Sequence, residues 1–383
     1  MKTLILSAAA SLLALTHIFA QGNLIPPGPP APMMKTLDQI EPRVDVATLP
    51  GDATNQFIIS APGSYYLSRN IAGVSGLNGV SIQASDVTLD LNGFALVGVA
   101  GSLGGVAVSG ARTSCAIRNG SVRGWGGDGV SAAGASTSVF ERLRVSVNGS
   151  IGLRAGINGV ITGCVAAGNA VHGIAAGDGC VIIGCTATGN GTGQANTSFG
   201  IYAGAGNTVS DCTASYNTAG GGIYAVENST VVRCSAVGNT NTAQTLGTGI
   251  EVGSGCTVSA STAGNNFRGI ETGFGCTVSG CTVRANKNIG IVVYNASHVT
   301  GNTIDASGLN LNIRGTGSRI DSNLVTAASG DGIADTGGGN LIIRNSCRAN
   351  AVNFSISAGS TVGPIIGPGN PITTTNPWAN FGF

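Results

Sequence analysis

The sequence predicts an all-β chain wound into one parallel β-helix of about 12 coils with a cap at each end, on three observations. First, the chain repeats itself. Residues 249–266 read GIEVGSGCTVSASTAGNN and residues 269–288 read GIETGFGCTVSGCTVRANKN, the same stretch in two copies. Self-similarity on this scale marks a stacked-repeat architecture. Second, apolar residues alternate with Thr and Ser inside each copy, which is the period of a strand. Third, 63 of 383 residues are Gly, and Thr, Ser, Val, Ile and Asn dominate the remainder at the expense of helix formers.

The elements follow in order. Residues 1–20 combine a basic Lys2, an apolar run from Leu4 to Leu15 and a small Ala20, the pattern of a cleaved secretory signal peptide. The rival is a membrane anchor, for which the run is short; no other segment is apolar enough to span a bilayer. Cleavage would remove Lys2 and leave acidic and basic residues in equal number. A neutral chain gives no electrostatic reason to expect nucleic acid as a partner. Residues 21–56 are Pro-rich and read as a linker, and 57–76, with Tyr65, Tyr66 and Leu67, as an N-terminal cap. Residues 77–353 are the β-helix, and 354–383 a C-terminal cap whose Trp378, Phe381 and Phe383 fold over the last turn. Such caps cover edge strands that otherwise pair with other chains. The chain is expected to be an exported monomer: secreted, periplasmic or at the cell surface.

Within the repeats, one apolar residue, usually after a Gly, sets a register. It runs Val80, Val106, Val130, Leu153, Ile174, Ile201, Ile223, Ile250, Ile270, Ile291, Ile313 and Ile333, in steps of 20 to 27 residues. Other columns keep step with it. Cys164, Cys185, Cys212, Cys234, Ser261 and Cys281 form one; Asn169, Asn190, Asn217, Asn239, Asn266 and Asn286 form another. Turns stacked about 4.8 Å apart bring such equivalents into ladders, in a rod roughly 55 Å long. Asn amides hydrogen-bond up a ladder, and Gly and Asn suit corners that need a positive φ. The ten Cys are expected to remain free, buried thiols, because parallel Cβ vectors suit disulfide geometry poorly; disulfides between ladder neighbours are the alternative.

The Gly-Ile starts, aliphatic columns and Cys and Asn ladders resemble the right-handed parallel β-helices of the pectin-lyase-like superfamily. ASDVTLDLNGFALVG (84–98) resembles a first coil of such proteins. PPGPPAPMMKTLDQIEP (26–42), GSYYLSRNI (63–71) and NPWANF (376–381) resemble uncharacterised exported bacterial members. The right hand is implied by that resemblance alone. The superfamily hosts lyases, hydrolases, epimerases and non-enzymes, so it implies little about activity.

Chemistry is sparse. His172 before Gly-Ile and Asp331 in Ser-Gly-Asp-Gly-Ile each resemble a fragment of the polygalacturonase pattern, but in the wrong order and without its other acidic residues. His172 and His298 stand too far apart in register to share a metal, and Asp90 and Asn92 read as turn formers. The column after the register mark differs. It faces outward and reads Arg154, Ala175, Tyr202, Tyr224, Glu251, Glu271, Val292 and Arg314. Tyr202 and Tyr224 offer a platform for a sugar ring, with Arg154 and Arg314 as further substrate-binding candidates. Two long steps place extra residues, 191–198 and 240–247, at one corner beside this column, where they could wall a groove. Stacking does not require Glu251 and Glu271. They splay into solvent, share a Ca²⁺, or divide as an acid and its ionised partner, with Arg268 close by. The Ca²⁺ reading resembles the acidic metal sites of pectate lyases. An outward Thr/Ser array (Thr208, Thr230, Thr257, Thr277, with Ser210, Ser259 and Ser279) suits either an ordinary exposed strand or an ordered-water surface.

The expected function is an exported module that binds a polysaccharide or cell-surface glycan without chemistry. The alternatives are a polysaccharide lyase or glycoside hydrolase of pectin-lyase-like type, and a purely structural surface protein. No cofactor is required except the Ca²⁺ just named.

Overall fold

A computed structural model describes residues 43–193, 197–241, 243–369 and 374–383. The predicted signal peptide and the linker as far as residue 42 lie outside the described residues. From Val44 onward the described chain is one parallel β-solenoid, and its only helical element is a 3₁₀ turn, Val46–Thr48. Each turn lays down three short strands. In the turn that opens at Thr248 these are Thr248–Val252, Thr257–Ser259 and Thr262–Gly264. The first strands stack into a 14-stranded face running from Asn55–Ile59 to Val352–Ile356. The second and third faces join into a single 28-stranded sheet, because Ala116–Arg123 and Val139–Ser146 each run unbroken around the corner between them.

The first face holds 14 strands where about 12 coils are expected. The two extra turns carry Phe57, paired with Val80, and Phe354, paired with Ile333; neither follows a Gly. Phe57, in the stretch expected as the N-terminal cap, and Phe354, at the start of the expected C-terminal cap, thus lie on strands of the first face. Val44 already pairs with Tyr65, and Val46, fully buried, closes the N-terminal end with Leu49 packed against the core. At the other end the tail adds a strand, Asn380–Gly382, that pairs with Ser346–Arg348. Trp378 and Phe383 are about half exposed, and Arg344 lies 5.3 Å over the Trp378 ring.

The Asn ladder explains the Gly-Ile starts. Asn217 Nδ2 donates to Asn239 Oδ1 (2.8 Å) and to Ala187 O (3.2 Å), while its Oδ1 accepts from the backbone and side-chain amides of Asn190 (both 3.0 Å). Every polar atom of that buried amide is used, as buried amides require. The amide fills the space beside the glycine before the register mark. A Cβ on Gly200 would come within 2.5 Å of Asn217 Nδ2, and one on Gly249 within 2.5 Å of Asn266 Nδ2. The positive φ falls one residue before the ladder, at Tyr216 (55°), Gly238 (68°) and Asn265 (55°), rather than on the ladder Asn itself.

Besides the Phe57 and Phe354 turns, one inner turn departs from this rule. Asn310 stands where other turns have Gly, and its own amide enters the ladder, accepting from Ser307 N (3.1 Å) and donating to Asn350 Oδ1 (3.1 Å). Leu311 follows it and is the register residue, paired with Ile291 and Ile333; Ile313 sits two places further on, opposite Val293. All ten cysteines are buried free thiols. Their column supplies acceptors for corner amides: Cys185 N donates to Cys212 Sγ (3.4 Å). Toward the C-terminus Asn302, Asn323, Asn345 and Asn380 take over that role. The outward Thr column stacks in register on the second face, but Val232 interrupts the Ser column beside it.

Candidate functional site

Five neighbouring strands of the first face build the site: Phe199–Ala203, Gly221–Ala225, Thr248–Val252, Arg268–Thr272 and Ile289–Val293. Their register residues are fully buried, so the residue after each points away from the core; Tyr202, Tyr224, Glu251 and Glu271 are partly exposed there, while Val292 is covered. Strand pairing sets Tyr202 beside Tyr224, Tyr224 beside Glu251, and Glu251 beside Glu271. The Gly-Ile-Glu repeat therefore has two parts. Gly and Ile answer to the ladder and the core, and Glu is left over for the surface.

These four side chains line one groove of about 760 Å³, with Phe199, Phe267, Arg268, Thr248 and Asn288. Thr197, from one long step, and Thr245, Leu246 and Gly247, from the other, also line the groove. The floor at one end is aromatic. The Tyr202 and Tyr224 rings stack at 5.4 Å, Phe199 stacks on Tyr224 at 5.0 Å, and His172 tilts against Tyr202 at 5.1 Å. His172 Nδ1 accepts the backbone N–H of Phe199 at 2.9 Å, which pins that ring, and burial pushes the imidazole pKa down. The bare Gly221 stands between Phe199 and Thr248 in its column, which leaves room for the Phe199 ring to lie against Tyr224.

The other end is charged. Arg268 Nη1 donates to Glu271 Oε2 at 2.6 Å, and the Tyr294 hydroxyl lies 3.5 Å from Glu271 Oε1. Arg268 Nε is buried without a partner. Glu251 has no such ion pair; it is half-buried and hydrogen-bonded by Thr248. Burial raises the Glu251 pKa, and the charge of Glu271 raises it further against the pull of Arg268. Burial also raises the Tyr224 pKa, with Glu251 adding to the shift. Two carboxyl groups in one column thus have different surroundings.

The remaining sequence candidates fall elsewhere. Arg154 stands in the column opposite Ala175, but Asp128 Oδ2 holds its Nε at 3.0 Å, and it does not line the groove. Arg314 is not in the column at all. The register at that turn is Leu311, so the position belongs to Asn312, and Arg314 instead donates to the Tyr294 hydroxyl at 3.4 Å. Asp90 is a turn former, as expected: its Oδ1 accepts Asn92 N at 2.8 Å, and Asn92 has φ 50°. His172 and Asp331 lie on the same face many turns apart, and His298 is on the second face. Among the described residues no group of three or more His, Cys, Asp or Glu is placed to hold a metal ion. Glu251 and Glu271, one of them already ion-paired, are a poor donor set for Ca²⁺, which takes six to eight oxygens.

Sequence reasoning missed Phe199, Phe267 and Tyr294. Phe199 and Arg268 share the outward column two residues before the register mark, with Gly221 and Thr248 between them. Reading that second column would have found Phe199.

Three solved structures are similar to the chain in fold. The A-module of a mannuronan C-5 epimerase from Azotobacter vinelandii is 16% identical over 84% of this chain and 88% of its own, with a TM-score of 0.40. The periplasmic alginate epimerase AlgG is 10% identical over 89% and 82%, with a TM-score of 0.47. The Dettilon tailspike protein is 15% identical over 83% and 61%, with a TM-score of 0.43. No curated protein matches the sequence. The family model described as "Right handed beta helix region" matches residues 62–201 and 192–304. With more than half of its length so matched, the chain belongs to the right-handed β-helix family.

Proposed function

We propose that the protein is an exported β-helix whose first face binds a polysaccharide in the groove between its two long loops. One observation carries this reading: a stacked aromatic floor, a carboxyl pair and an Arg line a single cavity of about 760 Å³. That volume lies within the range of small-ligand sites. Sugar rings present an apolar C–H face and a rim of hydroxyls. Tyr202, Tyr224 and Phe199 match the face, and Glu251, Glu271, Arg268 and Asn288 offer donors and acceptors to the rim. The groove is open on the solvent side, which suits a chain passing through rather than a small molecule enclosed. Nothing in the reading requires a cation.

The test is calorimetric titration of the protein with oligosaccharides drawn from a panel of neutral and acidic polysaccharides. The expected result is binding to at least one class, weakened about 10- to 100-fold by Tyr202→Ala with Tyr224→Ala, since each buried aromatic contact contributes on the order of 1 kcal/mol or more. Binding unchanged by that double substitution would place the ligand elsewhere and defeat the proposal.

A further inference from the structure

We infer that Glu251 and Glu271 are the acid and the nucleophile of a retaining glycoside-cleaving centre at the charged end of the groove. The inference rests on the glycan-binding reading and adds catalysis to it.

Spacing is the first argument. The two residues are Cα partners on adjacent parallel strands, both outward and both lining the cavity. Adjacent strands lie about 4.8 Å apart. Retaining cleavage needs two carboxyl groups about 5–5.5 Å apart, and inverting cleavage needs about 6.5–9.5 Å. Backbones one turn apart let two Glu side chains bring their carboxyl groups to the first spacing; backbones two turns apart suit the second. Two turns from Glu251 stand Tyr202 and Val292, and two turns from Glu271 stand Tyr224 and Asn312, so the column offers no acid at the inverting distance.

Inequivalence is the second argument. Both oxygens of Glu271 are engaged, Oε2 by Arg268 and Oε1 by Tyr294, which orients the carboxylate. Glu251 has only Thr248 as a partner, and burial and the neighbouring Glu271 charge favour its protonated form. A pair whose surroundings push its members apart divides the labour of acid and base.

The chemistry balances with water as the only co-reactant. The Glu251 acid gives its proton to the glycosidic oxygen as the bond from that oxygen to the anomeric carbon breaks. The Glu271 carboxylate bonds to the anomeric carbon and forms an ester, and the leaving sugar departs as an alcohol. The Glu251 carboxylate then takes a proton from water. The water oxygen attacks the same carbon, the ester bond breaks, and Glu271 returns as carboxylate and Glu251 as acid. Two displacements on one carbon leave its configuration unchanged.

The experiment uses the full chain and the polysaccharide panel, following new reducing ends and the first product's anomeric configuration by NMR. The expected result is release of reducing ends with retention. Glu271→Gln should abolish release. Glu251→Gln should reduce it by about 10²–10⁴-fold on polysaccharide, and far less on 2,4-dinitrophenyl glycosides, whose leaving group needs no proton. Azide should restore turnover to Glu271→Ala as a glycosyl azide. Thermal melts of each variant separate lost chemistry from lost folding. Glycan binding without any new reducing end would overturn this inference and leave the binding reading intact. Inversion, unsaturated ends absorbing near 235 nm, or full activity in either Gln variant would overturn it as well. Absence of glycan binding would overturn both.

Discussion

Two columns climb the same turns of the solenoid and obey different rules. The Asn column, Asn148 to Asn286, repeats one residue turn after turn, and each amide spends its hydrogen bonds on the turns beside it. The outward column, Ala175 to Val292, changes from Ala to Tyr to Glu to Val, and its charged members find partners off the column: Arg268, Tyr294 and Thr248. Repetition inside the wall is imposed by stacking. Repetition outside it, two Tyr and then two Glu along one groove, is not required by stacking, and the proposed glycan ligand would give it a cause.

Breaking the inner column should have the largest effect on the fold. Asn217→Leu removes the acceptor of two Asn190 amides and the donor to Ala187 O and Asn239 Oδ1, all buried. Each orphaned buried group costs about 1–3 kcal/mol, so urea unfolding should show a loss of about 3 kcal/mol or more. Next comes an ion cluster away from both columns. Asp321 is buried, paired with Arg319 and Arg344 and hydrogen-bonded by Ser322; the Arg344 contact is the main cause of a strongly depressed pKa. Asp321→Asn removes the carboxylate the two guanidinium groups share and should lower stability at neutral pH, by less than Asn217→Leu does because both Arg side chains are about two-fifths exposed and solvated. The depressed pKa means this stability is present above the unfolded carboxyl value and disappears as pH falls through the folded one, so variant and parent should converge in strong acid.

Substitutions in the outer column should reverse the balance, leaving the fold and removing function. Tyr202→Ala with Tyr224→Ala should lower stability by about 1–2 kcal/mol, because both rings are only partly buried, while weakening glycan binding by the larger factor given above. Glu251→Gln should go further and stabilise. Its raised pKa means the folded state favours the protonated form, so the carboxyl destabilises the fold progressively as pH rises through that value. The Gln variant should melt higher than the parent above it and alike below it, by of order 1 kcal/mol or less. The smallest expected effect is that of calcium. Millimolar Ca²⁺ or a chelator should leave glycan affinity within error, and a strict calcium requirement would restore the shared-cation reading of the Glu pair.

Much of this was legible in the sequence because stacking copies its constraints into every turn. The Gly before the mark, the Asn ladder and the buried thiols each recur, so each can be read from any copy. The two loops and the Tyr202, Tyr224, Glu251 and Glu271 column were legible as departures from the repeat. Illegible were the places where one residue took over another's duty. Asn310 replaced a Gly and a ladder Asn at once, which shifted the register reading to Ile313 and drew Arg314 into a column it does not occupy. Phe57 and Phe354 carried the register without a Gly, so two turns were read as caps. The ion pair of Arg268 with Glu271, and the Asp128 partner that withdraws Arg154, depend on side-chain reach, which spacing along the chain does not encode.

The most direct test of the central claim is a crystal structure of the protein with the oligosaccharide that binds best from the panel. The account predicts a sugar ring lying across Tyr202 and Tyr224 between the loops that carry Thr197 and Leu246, with the chain continuing over Glu251 and Glu271. A glycan seated on the Thr-lined second or third face, with the groove left to solvent, would contradict it.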